Sequence, residues 1–311
     1  MVMHRLARMV PLVFLVSVAV FGLVHLIPGD PAVTLAGDNP TPEQVESIRT
    51  ALGLDRPVVI QYVDWLRHVL QGDLGASLYQ RTPVVEGIAG RLPITLSLTL
   101  AAMVVALVIG VPAGVVAASR RGSWIDRAVT VLTTIGIAVP SFWLGLVLIV
   151  VFSLQLQWFP AVGYTHFTEG PAMWLWQITL PAITLGVHGA AELARHTRSA
   201  MHDALGQDYV RTARAQGLPG GRVLAKHALK NAGVPVLTIA GFQFSILMGG
   251  AVIVEQIFGI PGLGSLAIDA VIQKDLPVIQ GVVLVAALIV MLTNLLVDLA
   301  YGYLNPKVRA S

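Results

Sequence analysis

His188, Glu192 and His196 recur at every fourth residue. At about 3.6 residues per turn that spacing puts all three on one helix face, about 40° apart per step. Two imidazoles and a carboxylate so arranged could hold zinc or nickel, or relay protons through a membrane. Arg195 and Arg198 lie alongside, and pairing Glu192 with one of these arginines is the simpler use of its carboxylate. The set also lacks the H-E-x-x-H form. Cysteine is absent, which removes disulfides, thiolate nucleophiles and cysteine-based metal sites. Ser265, in GLGSL, falls in a different segment from His188, so a serine nucleophile would have no base beside it. No G-x(4)-G-K-[ST] phosphate loop occurs: GLPGG is followed by Arg222, outside any strand-to-helix context.

The elements that would position these residues are apolar. Of 311 residues, 55% are hydrophobic and 12% charged, with a mean hydropathy of +0.76. A soluble domain is nearer a quarter charged. There is too little polar surface here to solvate a globule of this length, so the chain reads as an all-α, polytopic membrane protein. The net charge of +3 belongs to basic loops, and no aromatic-basic interleaving points to nucleic acid. Six apolar runs are long enough to cross a bilayer: 9–27, 92–119, 128–154, 174–194, 231–254 and 276–297. The basic head and first run share the outline of a secretory signal. The run is 19 residues long with no small-x-small site before Pro28, so it reads as a retained helix. Fourteen of the twenty Lys and Arg fall on one side of this topology, which makes both termini cytoplasmic. The expected organisation is the N-terminus and first span in 1–28, an extracytoplasmic helical loop in 29–91, a five-span core in 92–303 with a cytoplasmic loop at 196–231, and a cytoplasmic tail in 304–311. The location is the cytoplasmic membrane, in contact with lipid.

Residues 29–91 carry five Arg and eight Asp or Glu. Thr41, Pro42 and Gln44 form a capping-box start, and Gly53 stops that helix. A second helix from Pro57 puts Val59, Tyr62, Val63, Leu66, Val69 and Leu70 on one side and stops at Gly72; Thr82 and Pro83 open a third short piece. The segment is a cap that receives a partner, or a packed lid. His68 and Asp64 are helix neighbours but too few for a metal site.

Between Arg195 and Lys230 lie seven basic residues, flanked by apolar spans. Asp208 to Gln216 reads as a short helix, with Gly217 as its left-handed stop and Pro219 preventing continuation. A second helix from about Gly221 carries Arg222, Lys226, His227 and Lys230 into the fifth span. A short helix held by two turns is a knob suited to a socket on a soluble partner; a loop made basic only by topology is the other reading. For a solute pathway, Pro140 interrupts the third span, where Ser141 could satisfy a freed carbonyl. Gln243, Phe244 and Met248 lie mid-span in the fifth, lining a path or packing against another subunit. Glu255 and Asp298, near span ends, read as interfacial.

The chain resembles the importer permeases of ATP-binding cassette (ABC) transporters. Their loop pattern is E-A-A-x(3)-G-x(9)-I-x-L-P, and aligned on Gly217 only Ala213, Gly217 and Leu229 match it. The local form DYVRTARAQGL is similar to that of the dipeptide, oligopeptide and nickel branch. So are IPGDPA at 27–32, LGLDRPVVIQYVDWL and GDLGASL in the long loop, VPSFWLG at 139–145, IFGIPGLGSL at 257–266 and DLPVIQG at 275–281. The resemblance covers nearly the whole chain and is to the first permease of a peptide importer, with a nickel or other small-solute permease as the alternative. It implies a six-span type I ABC importer permease fold. It also implies a homologous second permease, two cytoplasmic ATPases holding ATP and Mg, an external solute-binding protein and a peptide substrate. The coupling set would be Asp208, Tyr209, Arg211, Thr212, Ala213, Arg214, Gly217 and Leu218. No catalytic residue or cofactor would belong to this chain. A proton-coupled carrier built on Glu192 is the rival from another class.

Overall fold

The computed structural model describes residues 2–26, 31–36, 40–51 and 53–304. Helices account for nearly all of them: α1 (Val2–Leu26), α2 (Pro31–Ala36), α3 (Pro42–Ala51), α4 (Val58–Leu70), α5 (Val84–Ser119), α6 (Trp124–Ala138), α7 (Ser141–Leu148), α8 (Pro171–Leu205), α9 (Asp208–Ala215), α10 (Gly220–Arg222), α11 (Leu229–Phe258), α12 (Leu263–Gln273) and α13 (Leu276–Leu304). Wide-turn helical segments continue α7 through Ile149–Gln155 and join α10 to α11 through Val223–Ala228. No strand occurs among the described residues. Most of the IPGDPA turn (27–30) and the tail from 305 onward lie outside them.

By length and apolar composition, Val84–Ser119, Pro235–Phe258 and Leu276–Val297 can each cross a membrane, and Trp124–Ala138 with Ser141–Gln155 makes a fourth if the bent pair is one span. Among the described residues, length and composition do not confirm six spans exactly. The third is two rods bent by 99°. Pro140 lacks an N–H and forces Val139 into an extended conformation, φ −76° and ψ 122°, which ends α6. The second begins at Val84 rather than 92, because the piece opened by Pro83 continues without a stop into the apolar run. The fourth runs on to Leu205, because Thr197, Met201 and Ala204 give its polar end a buried stripe. In the first run, Met9–Gly22 forms an apolar helical stretch among the described residues.

The described residues fall into two units. The first comprises Met1–Pro93 and Pro261–Met291. Its local signals behave as expected: Thr41 Oγ1 accepts from the Gln44 N–H at 3.3 Å, Gln44 Oε1 accepts from the Thr41 N–H at 3.0 Å, and Gly53 and Gly72 take positive φ. Two resemblance blocks meet here. Asp275 of DLPVIQG is buried, accepting from Ser77 Oγ at 2.5 Å and from the Leu78 N–H at 3.2 Å, both of GDLGASL. Around them Val84, Ile88, Leu263, Leu266, Leu276, Ile279 and Val282 form the unit's core.

The second unit comprises Ile94–Ile260 and Leu292–Ser311. Its centre is the seam between α5 and α8. Ala102, Ala106, Gly110 and Gly114 recur at every fourth residue on α5, facing Gly186, Ala190, Ala194 and Thr197 on α8. A Cβ added at Gly110 would lie 2.6 Å from the Ala190 carbonyl oxygen, and one at Gly114 would lie 2.5 Å from that of Ala194. Apolar side chains gain little by leaving lipid for each other, so membrane helices associate by such close backbone approach. Gly136 of α6 meets Ala191 of α8, and Gly145 of VPSFWLG lies against Thr184 and against Phe258 of IFGIPG. Leu98, Ile178, Leu247, Val254 and Phe258 fill the core beside the seam.

Replacing Gly114 by Leu is expected to separate α5 from α8. Overpacking costs about 1–3 kcal/mol, and a carbonyl at 2.5 Å leaves little room to relax. Thermal unfolding of the detergent-solubilised chain checks this: Gly114→Leu should unfold well below wild type. Gly90→Ala, where an added Cβ meets nothing within 4 Å, should not.

Candidate functional site

The basic loop is built around α9. Val210 and Ala213, three residues apart, are the buried positions of this short helix, and they pack with Val223, Leu205 and Leu218. Everything else on α9 faces outward: Asp208, Tyr209, Arg211, Thr212, Arg214 and Ala215 are exposed. The helix ends as the sequence predicts. Gly217 sits at φ +79°, its N–H donates to the Arg214 carbonyl at 3.0 Å, and the Leu218 N–H donates to that of Ala213 at 3.2 Å. These two bonds with the Leu218–Ala213 apolar contact make a Schellman stop, which satisfies carbonyls that the helix end leaves open. At the other end Thr212 Oγ1 donates to the Asp208 carbonyl at 3.1 Å, and Arg211 makes a loose, exposed pair with Asp208 at 3.5 Å. Arg222, Lys226 and Lys230 add exposed cations on the following helical run. Beside α9 a recess of about 600 Å³ is lined by His196, Asp203, Gln207, Tyr209, Asn231 and Pro235, among others.

A second polar tie holds the neighbouring turn. Asp126 is buried in the first turn of α6, where Ser123 Oγ accepts the Asp126 N–H. Arg198 of α8 donates to both carboxylate oxygens, at 2.6 and 3.1 Å, and the Gly122 N–H donates at 3.0 Å. The Arg198 bonds first, and the Gly122 N–H second, hold the carboxyl at about 2 against the opposing effect of burial. Sequence reasoning missed this residue. The Ser-x-x-Asp pattern at 123–126 is a signal that could have found it as a helix cap, but its partner lies 72 residues away.

The helix-face triad has an electrostatic explanation. Glu192 accepts from Arg195 at 2.8 and 3.1 Å, and His196 Nε2 lies 3.5 Å from the same carboxylate. Arg198 is committed to Asp126. Among the described residues no three His, Asp or Glu side chains converge as a metal-binding set. Of the pathway candidates, Pro140 is exposed, while Ser141 and Phe244 are half-buried. Gln243 and Met248 are buried within the chain's own packing. Gln243 lies against Gly189, and Met248 Sδ accepts from Thr99 Oγ1 at 3.5 Å. Glu255 is not interfacial: it is fully buried and accepts from Thr95 Oγ1 at 2.6 Å. Asp298 has its backbone in α13, with its side chain outside the described set. Ser265 lies in α12 and donates to the Gly262 carbonyl at 2.8 Å.

The sequence of this chain matches the family described as binding-protein-dependent transport system inner membrane component over residues 110–310, and the N-terminal part of such components over residues 1–99. The chain belongs to this family. It is therefore an integral inner-membrane permease of an ABC importer, working with a binding protein and the other subunits of its system. It is 45% identical over 309 residues to a putative peptide transport system permease protein of Brucella abortus, covering 99% of this chain and 98% of the relative. Over 309 residues, with the same coverage, it is 43% identical to the glutathione transport system permease protein of Escherichia coli K12. A probable peptide ABC transporter permease of Sinorhizobium fredii is 41% identical over 308 residues, again with 99% and 98% covered. Among solved structures, the inward-facing MetNI methionine ABC transporter aligns with a TM-score of 0.60 at 18% identity, covering 70% of this permease and 96% of that chain. That likeness shows the type I importer permease fold.

The lowered pKa of Asp126 fixes a pH dependence. A carboxyl whose folded value lies below its unfolded value, about 3.9, stabilises the fold above that value and loses the contribution as pH falls toward about 2. Asp126→Asn should lower stability at pH 7 by about 1–2 kcal/mol, modest because Arg198 is half-exposed. It should also remove the part of the acid destabilisation that wild type shows between about pH 4 and pH 2. Thermal unfolding of both proteins across that range is the check.

Proposed function

We propose that this permease is one of two homologous membrane subunits that form the path of a peptide importer. Two cytoplasmic ATPases drive it, and an extracytoplasmic binding protein delivers the cargo. ATP and Mg are held and hydrolysed in the ATPases, and this chain contributes no catalytic group. Both termini are cytoplasmic. Peptide as the cargo is supported by relatives named for peptide and glutathione transport over the whole chain. A nickel or other small-solute permease is the alternative within the family. Against a proton-coupled carrier stands Glu192, already paired with Arg195.

The observation that carries the coupling role is the anchoring of α9. Two apolar residues hold it down, a left-handed glycine stops it, and its polar side is unoccupied by the described chain. In this reading Asp208, Tyr209, Arg211, Thr212, Arg214 and Gly217 contact the ATPase. Ala213 and Leu218 act from beneath by holding the helix in position. The recess at Tyr209 and Asn231 receives part of the same partner. Closure of the ATPase pair on ATP then moves α9 as a rigid knob, and α8 and the run into α11 follow. Pro140, Ser141 and Phe244 retain accessible surface for the pathway, and Gln243 and Met248 support it from behind.

Gly217→Val tests this. An added Cβ meets nothing within 4 Å, so the cost is confined to the left-handed backbone, about 1–2 kcal/mol or roughly tenfold in an equilibrium constant. The variant is expected to reach the membrane at wild-type levels and to lose ATP-dependent peptide uptake. Affinity purification in mild detergent should recover a second permease and Walker-motif ATPases with wild type but lose the ATPases with the variant. Retained uptake by Gly217→Val, or purification of a homodimer alone, would sink the coupling assignment.

A further inference from the structure

Helix α4 has an apolar surface larger than its packing uses. Tyr62 and Trp65 meet α1, with ring centroids 5.4 Å from Phe21 to Tyr62 and 5.8 Å from Phe21 to Trp65. Phe14 meets Tyr62 edge-on, and Ser17 Oγ is hydrogen-bonded to Tyr62 Oη at 2.8 Å. Phe14, Ser17 and Phe21 all lie within the apolar stretch Met9–Gly22 of α1. Directly beside this packed face, α4 carries a second stripe. Val59, Val63 and Leu70 project on one side, 73%, 55% and 79% exposed, with half-buried Leu66 between them. The opposite side is polar: Asp64 pairs with Arg56 at 3.1 Å, Gln61 donates to the Arg56 carbonyl at 2.8 Å, and Arg67 and His68 are exposed.

We infer that α4, within a loop otherwise expected to lie in water, is embedded in the bilayer alongside α1, with Val59, Val63 and Leu70 against lipid acyl chains. Two observations select lipid as the occupant. The helix is fixed at the level of α1's own apolar stretch. The α1 stretch to which α4 is fixed also exposes apolar residues of its own, such as Leu15 and Val18. An apolar face next to a charged one is the pattern of helices that lie at a membrane boundary. The charged edge of Arg56, Asp64, Arg67 and His68 then faces the headgroups, as the snorkelling of long basic side chains allows.

The chain has no native cysteine, so a single-cysteine variant purified and labelled before assembly carries one nitroxide at a known position. Val63→Cys, Leu70→Cys and His68→Cys would each carry a nitroxide in the intact transporter, reconstituted in phosphatidylethanolamine and phosphatidylglycerol vesicles. The readout is collision with oxygen, which concentrates in lipid, against collision with a water-soluble nickel chelate. The oxygen-to-nickel ratio at positions 63 and 70 is expected to exceed that at position 68 several-fold. A ratio at 63 and 70 equal to that at 68 would put α4 in water, and protection from both reagents would put it under protein. Either outcome overturns the inference. An acyl-chain photoreactive lipid applied to the unlabelled transporter gives a second reading free of substitutions. Adducts are expected at 59, 63 and 70, and their absence from α4 would also overturn it.

Discussion

The approach of α5 to α8 is the constraint on which the second unit depends. Two helices whose surfaces are as apolar as the surrounding lipid have no hydrophobic reason to meet. What holds them is dispersion and shape at backbone distance, which glycine and alanine at every fourth position permit. Gly110 and Gly114 leave less than a methyl group's room beside the Ala190 and Ala194 carbonyls. Once α8 is fixed against α5, Gly136 and Gly145 can seat α6 and α7 on it, and the Asp126–Arg198 pair locks the polar end. Because α8 continues past the apolar region to Leu205, the same seam fixes the ground on which α9 stands.

Among the described residues buried charge is used sparingly, each time with a donor. Asp275 binds Ser77 and the Leu78 N–H, Glu255 binds Thr95, and Asp126 binds Arg198. Each joins segments distant in sequence, and a buried carboxylate left without its partner would be costly. These ties do not drive folding so much as select one pairing of apolar helices over others that would bury similar surface.

The proposed coupling helix follows a different rule. α9 is too short to be stable alone, so its position comes from Val210 and Ala213 beneath it and from the closed turn at Gly217 and Leu218. That leaves its cationic side free of structural duty within this chain. A rigid element with an uncommitted polar face can transmit movement in either direction, which a flexible basic loop could not.

Local backbone chemistry was legible in the sequence because it acts over three or four residues. The Thr41 capping box, the Gly53, Gly72 and Gly217 stops, the break at Pro140 and the limits of α9 all lie where their residue types put them. The membrane class followed from composition, and the family from blocks of sequence in order. The tertiary structure alone decided which of these blocks touch: GDLGASL with DLPVIQG, VPSFWLG with IFGIPG, and Asp126 with Arg198 rather than Glu192 with Arg198. It also decided that Gln243 and Met248 face inward, that Glu255 is buried, and that the two pieces of the third span meet at 99°. The reason is range. A cap or a positive φ is fixed by neighbours along the chain, whereas Ser77 and Asp275 are 198 residues apart, and only the packing of whole helices brings them within a hydrogen bond.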